Sequence, residues 1–429
     1  MALTVWVLLF LAMFLLGYPI AFGISVSSMA YIILAGINPA VILDHMVIKF
    51  ENQFVLLAVP LFILAARIMN EGMITERIFN FANRLVGSLR GGMAHVNVVA
   101  SVIFSGMTGS AVADASGLGL LELKAMDDAG FDKPFSCAVT SASATIGPII
   151  PPSIPMVIYS MLSGASIGYL FIGGVIPGIL LALFMMGYIM YKSAKRNYPK
   201  GDTFSFSLLV QSFFKAFFPL LTPVILLSGI YSGAFTPTEA AAVAVLYAII
   251  LSVLGYRIIG LKKLFNIFKD VALSTGYISF IVGSAFLFSY VVAREQLPMY
   301  VTDFIMNSGF ISNSFIFLLI INIFFLILGC VLDPTVALLI VLPIILPLLN
   351  TFNIDLVHFG VIIVLNLMIG LSTPPYGVNL FVVSGLAGVS LSKIIKEIWP
   401  FIGILVLVLL LCTYIPDLVL FLPKLLGYM

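Results

Sequence analysis

Apolar residues run along this chain in blocks too long and too uniform for the strands or amphipathic helices of a water-soluble domain. Val175–Tyr191, Pro219–Tyr231, Glu239–Tyr256, Gly276–Ala293, Ile311–Leu332 and Pro400–Leu422 each form, or nearly form, a membrane-crossing stretch. A bilayer core of about 30 Å takes about 20 residues of helix, whereas a closed barrel would show short alternating strands. The pattern predicts an all-α polytopic bundle. The opening run from Leu3 to Ala35 is too long for one straight span. It is either a tilted helix or two elements meeting at Gly17-Tyr18-Pro19, and it lacks the basic start and cleavage site of a secretory signal. Glu76–Arg90, punctuated by Arg77, Arg84 and Arg90, reads as an amphipathic arm on the membrane surface, and Ser392–Trp399 as a second.

Composition agrees. Of 429 residues 62% are hydrophobic and 9% charged, against roughly 25% charged in soluble domains, so lipid must be the solvent for most of the surface. A net charge of +2 without a basic cluster gives no reason to expect nucleic acid. Cys137, Cys330 and Cys412 are dispersed, with neither disulfide nor metal spacing. His45, His95 and His358 form no metal or catalytic pattern, so no cofactor is expected. Lys192, Lys195, Arg196 and Lys200 crowd one loop, and Arg257, Lys262 and Lys263 another. The positive-inside rule places both in the cytoplasm.

The chain also repeats itself. Gly106 matches Gly329, Asp132 matches Asp355, Gly147 matches Gly370, Pro151-Pro152 match Pro374-Pro375, and Pro177 matches Pro400, and the separation is identical in every pair. Glycine and proline are common in membrane helices, so one coincidence means little, but five in one gapless register do not arise by chance. Pro19 and Pro237 open similar segments at a slightly shorter separation, so the repeat changes length upstream. Two halves follow, residues 1–199 and 200–429, joined by the polar Lys192–Ser207. Repeats with discontinuous helices at matching places point to a secondary transporter. With an odd number of crossings in each half, the repeats would be inverted in the membrane.

Two kinds of segment break the helical rules, each once per half. The first is a tight turn inside an apolar run: Ser105-Gly106-Met107-Thr108-Gly109-Ser110, and Gly329-Cys330-Val331-Leu332-Asp333-Pro334-Thr335. These predict re-entrant hairpins, 93–124 and 312–350, with arms too short to cross and tips near mid-membrane. The second is an interrupted span, 135–162 and 357–387, broken at Gly147-Pro148-Ile149-Ile150-Pro151-Pro152 and Gly370-Leu371-Ser372-Thr373-Pro374-Pro375. Proline frees carbonyl oxygens from the helical ladder, and such oxygens suit a hard cation such as Na⁺. Helix N-termini at the same breaks offer amides and a positive dipole end to an anion.

One cation site is therefore expected from Ser105, Gly106, Thr108, Gly109 and Ser110 with Thr145, Gly147 and Pro148. Its twin would use Gly329, Asp333 and Thr335 with Gly370, Ser372 and Thr373. Ser110 and Asp333 are themselves equivalent in the repeat register. Asp114, Pro151, Pro152, Ser153, Pro374, Pro375 and Asn379 are candidates to touch the solute. A packing kink would explain a single Gly/Pro cluster; four in symmetric places favour function. Asp333 sits in a strongly apolar stretch, where a charge is expensive, and reads as an ion ligand. Asp114 divides equally between direct coordination and a structural role, helix capping or a hydrogen bond to the nearby tip. Thr236-Pro237-Thr238-Glu239 satisfies a capping box, so Glu239 reads as structural. Arg67, Arg294 and Glu295 lie near predicted span ends and should reach the interface.

At these motifs the chain resembles the large membrane subunit of TRAP (tripartite ATP-independent periplasmic) transporters. The likeness is carried by Gly109-Ser110-Ala111-Val112-Ala113-Asp114, Gly147-Pro148-Ile149-Ile150-Pro151-Pro152-Ser153, Phe235-Thr236-Pro237-Thr238-Glu239-Ala240-Ala241-Ala242 and Ser372-Thr373-Pro374-Pro375-Tyr376-Gly377. It covers essentially the whole chain. The resemblance implies a sodium-coupled elevator carrier in a bacterial inner membrane. It also implies a small membrane subunit of a few helices, a periplasmic substrate-binding protein, and a carboxylate substrate of the sialic acid or C4-dicarboxylate class. A stand-alone sodium–dicarboxylate symporter or antiporter of related fold is the alternative within transport. An intramembrane enzyme would need a nucleophile or acid–base constellation, and neither H-E-x-x-H nor G-x-S-x-G is present. A scaffold subunit without transport is the third reading.

Overall fold

The computed structural model describes residues 1–51, 53–72, 74–307 and 313–428. The predicted starts of the second hairpin at 312 and of its apolar stretch at Ile311, and the final Met429, lie outside the described residues. Among the described residues the only β-type contact is an isolated bridge between Arg90 and Lys200. Eight helices among the described residues are long and apolar enough to cross a bilayer. Large side chains such as Phe214, Leu254, Leu273 and Ile327 point outward and exposed. In lipid that is the favourable arrangement, because only the backbone must be satisfied internally. The chain is a multi-pass, all-helical membrane protein.

The opening run is two helices, α1 (Ala2–Leu15) and α2 (Ile20–Leu34), divided at Gly17, whose φ of +76° an L side chain resists. Trp6 Nε1 donates to Ser28 Oγ at 3.3 Å and holds the two together. After α3 (Ala58–Glu71), the predicted amphipathic arm forms α4 (Ile74–Val86). Its arginines gather the basic loops on one face of the molecule. Arg84 pairs with Asp202 at 3.3 Å, the Arg77 guanidinium lies 4.0 Å above the Tyr256 ring, and Arg90 donates to Asn197 at 2.7 Å.

Half one continues as a hairpin, α5 (Gly92–Thr108) and α6 (Ala111–Asp128), and a broken helix, α7 (Lys133–Ser143) and α8 (Ile154–Ser163). Then α9 (Val175–Arg196) returns to the basic face. There Arg196 bonds Glu397 at 2.6 Å and Asp132 at 3.3 Å, and the Tyr198 hydroxyl donates to Asp132 at 2.6 Å. Burial, then the Asp132 bond, push the Tyr198 phenol up to about 12, so it remains a donor. The polar linker is shorter than predicted, because helix persists through Arg196 and resumes at Phe206.

Half two opens with α10 (Phe206–Tyr231), α11 (Pro237–Ile249) and α12 (Leu261–Arg294). The capping box at the start of α11 is formed: Thr236 Oγ1 accepts from the Glu239 amide at 3.3 Å, and Glu239 Oε2 accepts from the Thr236 amide at 2.7 Å. Thr236→Ala should cost about 1 kcal/mol of stability. Glu239→Gln, which can still close the box, should keep both the unfolding temperature and uptake near wild type. Loss of uptake in a folded Glu239→Gln protein would make the carboxylate functional.

The second hairpin is α13 (Ser314–Val331) and α14 (Pro334–Thr351), and the second broken helix is α15 (Leu356–Leu371) and α16 (Val378–Ala387). Both arms of this hairpin have 18 residues and span-like apolarity, so they are longer than predicted. The stretch Pro400–Leu422 is not one helix: α17 (Leu391–Tyr414) ends before Pro416, and α18 (Asp417–Leu425) follows. Ser392–Trp399 is the first part of α17 rather than a separate surface arm.

The two broken helices lie side by side and antiparallel. Cys137 in α7 donates to the Val383 carbonyl in α16 at 3.7 Å. Tyr159 in α8 donates to the Leu356 carbonyl, where α15 begins, at 2.7 Å. Between these ends Ser372 Oγ, at the second break, donates to the Ser141 carbonyl at 2.7 Å.

Candidate functional site

Both hairpin tips open on one cavity of about 760 Å³. Tip one contributes Thr108, Gly109 and Ser110, break one contributes Pro148, and tip two contributes Asp333 and Thr335. The helix starts of α6, α8 and α14 all border it, through Ala111–Ala113, Ile154-Pro155 and Pro334-Thr335. Each start presents the positive end of a helix dipole. Arg67, exposed on α3, adds a full positive charge to the wall beside Asn70 and Glu71. The lining therefore sets Arg67 and the helix starts beside two carboxylates, Asp333 and Glu71, the latter paired with Lys263 at 2.6 Å.

The tips are narrower than the sequence suggested. Ser105, Gly106 and Thr108 belong to the last turn of α5, and only Gly109 and Ser110 leave the helix. Gly109 makes the reversal alone, with φ +62°. Gly106 serves packing instead, since a Cβ there would stand 2.7 Å from Pro223 Cβ. In half two Gly329 is also helical, and the reversal falls on Leu332 and Asp333. At the second break Gly370 likewise stays in α15, and the interruption runs from Ser372 to Gly377.

In half one the tip rests on the break, and in half two the end of α13, just before the tip, packs on the end of α15, just before the break. The Ile154 amide donates to the Gly109 carbonyl at 3.3 Å, and a Cβ on Gly147 would stand 3.7 Å from the Ser110 carbonyl oxygen. In half two a Cβ on Gly329 would lie 3.3 Å from Gly370 Cα and 3.1 Å from the Leu367 carbonyl oxygen. The equivalent residues Ser110 and Asp333 do the same local work, each capping the outgoing arm. Ser110 accepts from the Ala113 amide at 3.4 Å, and Asp333 Oδ1 accepts from the Thr335 amide at 2.9 Å.

The remaining predicted residues fall into three groups. Thr145 and Thr373 donate to carbonyls of their own helices at 2.6 and 2.7 Å, and Ser105 does the same to Val102, which leaves their oxygen lone pairs unused. Thr108 Oγ1 is buried and has no partner, and the Gly109 amide does not close the last turn of α5. The carbonyls of that turn are thus open to a cation. Pro151, Pro152, Pro374, Pro375, Ser153 and Asn379 do not line this cavity. Both Pro–Pro bonds are cis, Ser153 caps α8 through the Met156 amide, and Asn379 donates to Ser372 Oγ at 3.4 Å. Asp114 is fully buried and also lies off the cavity lining. Arg67, expected at the interface, is on the cavity wall. The signal was present: like Asp333, it is a charge inside an apolar run, flanked by Ala65-Ala66 and Ile68-Met69.

Fold and cavity together define the class as a multi-pass membrane protein with a solute-sized, partly polar chamber at its hairpin tips. The family model described as "Tripartite ATP-independent periplasmic transporter, DctM component" matches residues 7–418, and the chain belongs to that family. It is 43% identical over 418 residues to the sialic acid TRAP transporter large permease protein SiaM of Vibrio cholerae, covering 96% of each chain. To the sialic acid TRAP transporter permease protein SiaT of Haemophilus influenzae it is 41% identical, over 99% of this chain and 68% of that one. To the C4-dicarboxylate TRAP transporter large permease protein DctM of Pseudomonas aeruginosa it is 38% identical, over 88% of each. These relatives are permeases rather than enzymes.

Proposed function

We propose that this permease couples inward sodium movement to uptake of a small carboxylate, carrying it by an elevator motion of the hairpins and broken helices. The observation that carries the reading is the shared cavity: two equivalent tips, each in a hairpin packed on a broken helix, face one chamber edged by three helix starts and Arg67. Cations would bind behind the tips, at the open carbonyls of α5 with Thr108 in half one and around Asp333 in half two. The solute carboxylate would face the helix starts and Arg67. The antiparallel broken helices support an inverted repeat. The basic face held together by α4 is the cytoplasmic side of a bacterial inner membrane. A small membrane subunit and a periplasmic binding protein complete the system. Its substrate is a sialic acid, a choice supported by the 43% and 41% identity to permeases of that name, with C4-dicarboxylates second.

Sodium chloride should raise the unfolding temperature of the purified chain above that in equal potassium chloride, since a ligand of the folded state stabilises it. Equal temperatures would reject sodium binding. In proteoliposomes holding both membrane subunits and the binding protein, sialic acid uptake should require an inward sodium gradient. Arg67→Gln should lower uptake at sub-saturating substrate by about tenfold to a hundredfold, the range for a lost charge-assisted bond. Uptake by the chain alone would favour a stand-alone carrier.

A further inference from the structure

We infer that Asp114 and Glu122 form a buried proton-binding site inside the first hairpin, separate from the cavity and from both tips. The two carboxyls project from α6 two turns apart, and helical side chains lean toward the N-terminus, so Glu122 reaches back toward Asp114. Each residue is 1% exposed, and neither lines the cavity. Both Asp114 carboxylate oxygens lack a hydrogen-bond partner. Glu122 Oε1 has Ser101 Oγ of α5 at 3.5 Å, the outer limit of such a bond, and the same hydroxyl stands beside Asp114.

No cation of the protein serves this pair among the described residues. Of the titratable groups on the packed elements, His95 on α5 has both ring nitrogens unpartnered, Lys133 at the start of α7 pairs with Asp127, and Cys137 donates to Val383. On α6 itself Lys124 makes no ion pair, and α16 carries no titratable side chain. Two uncompensated carboxylates this deep are heavily penalised. A proton taken from water, forming one O–H bond on a carboxylate oxygen, removes one charge and supplies the missing donor. Asp114 lies in the first turn of α6, where the dipole favours a negative charge. Glu122, mid-helix, has no such help and is the proton's carrier.

The fold itself does not ask for these groups. In the repeat register that pairs Gly106 with Gly329, Ser101, Asp114, Glu122 and Thr140 correspond to Phe324, Ala337, Ile345 and Ile363, all apolar. Half two builds the same hairpin and broken helix without them. What both halves keep is the amide contact from hairpin to broken helix: Asn97 accepts from Ser143 at 2.6 Å, and Asn366 donates to Asn322 at 3.0 Å. In half one that contact extends into the acidic pair, because Asn97 also donates to Thr140 Oγ1 at 2.7 Å, beside Glu122. The Asp114 amide donates to the Ser110 carbonyl at 3.0 Å, so the pair begins one turn from tip one.

Infrared spectroscopy of the full chain in lipid nanodiscs tests the assignment. Wild type at neutral pH should show the C=O stretch of a protonated carboxyl, unchanged between potassium and sodium chloride. Glu122→Gln should remove it, Asp114→Asn should shift it, and Asp333→Asn should leave it in place. If Glu122→Gln misfolds, Asp114→Ala with Glu122→Ile, the residue types of half two, takes its place. A wild-type spectrum without the band, or a band that survives both carboxyl substitutions, overturns the proposal. A band abolished by sodium alone would make this a sodium site instead. None of these readings depends on whether sodium drives uptake.

Discussion

Asp333→Asn should fold as wild type and yet need about tenfold to a hundredfold more sodium for half-maximal uptake. Asp333 has two separable jobs. Its Oδ1 caps α14 through the Thr335 amide at 2.9 Å, and its carboxylate brings a negative charge to the cavity wall. Asparagine caps a helix about as well as aspartate, so the first job survives. The second does not, and an interaction with a charged group is worth about 1.5–3 kcal/mol, which sets the expected range. Asp333→Ala should lose the cap too, lowering stability by about 1 kcal/mol further. Sodium titrations of uptake, beside thermal unfolding of both variants, separate the two effects. Wild-type sodium activation in a folded Asp333→Asn protein would leave the residue as a cap alone.

Much of this arrangement was legible in the sequence because membrane helices leave few ways to read a charge or a Gly–Pro pair. The constant register between the halves located both hairpins and both broken helices, and a division at Gly17 was one of two arrangements open to the first run. Glycines misled at the breaks. Gly106, Gly329 and Gly370 look like turn residues, but each remains helical and serves close packing, whereas Gly109, with positive φ, makes a turn. Sequence does not distinguish those uses, because removing a Cβ permits both. Arg67 was legible only in part: it does lie near the end of α3, as its distance along the span predicts, but that distance does not show that the tips of two hairpins distant in sequence make a cavity with Arg67 on its wall. Asp114 and Glu122 also needed the fold, since only the packing of α5 and α7 on α6 shows that nothing neutralises them.

Gly370→Ala should lower both the stability of the protein and its uptake. A Cβ at Gly370 would run into the backbone of Gly329, not into a side chain that could swing aside, so α13 and α15 would have to separate. Overpacking of this kind costs about 1–3 kcal/mol. The separation would also pull on the Asn366–Asn322 bonds of 2.8 and 3.0 Å across the same helix pair, and on the second tip just beyond that contact. Gly147→Ala is the natural control, being the equivalent position in half one. Its nearest contact is the Ala144 carbonyl oxygen at 3.1 Å, within its own turn, and the Ser110 carbonyl oxygen is 3.7 Å away. Unfolding temperatures should therefore fall in the order wild type, Gly147→Ala, Gly370→Ala. Sodium-driven uptake should be lost in the last and only reduced in the second. Equal stability of the two variants would mean that α13 and α15 do not lie backbone to backbone beside the second tip, and a cation site built on that contact would have no walls.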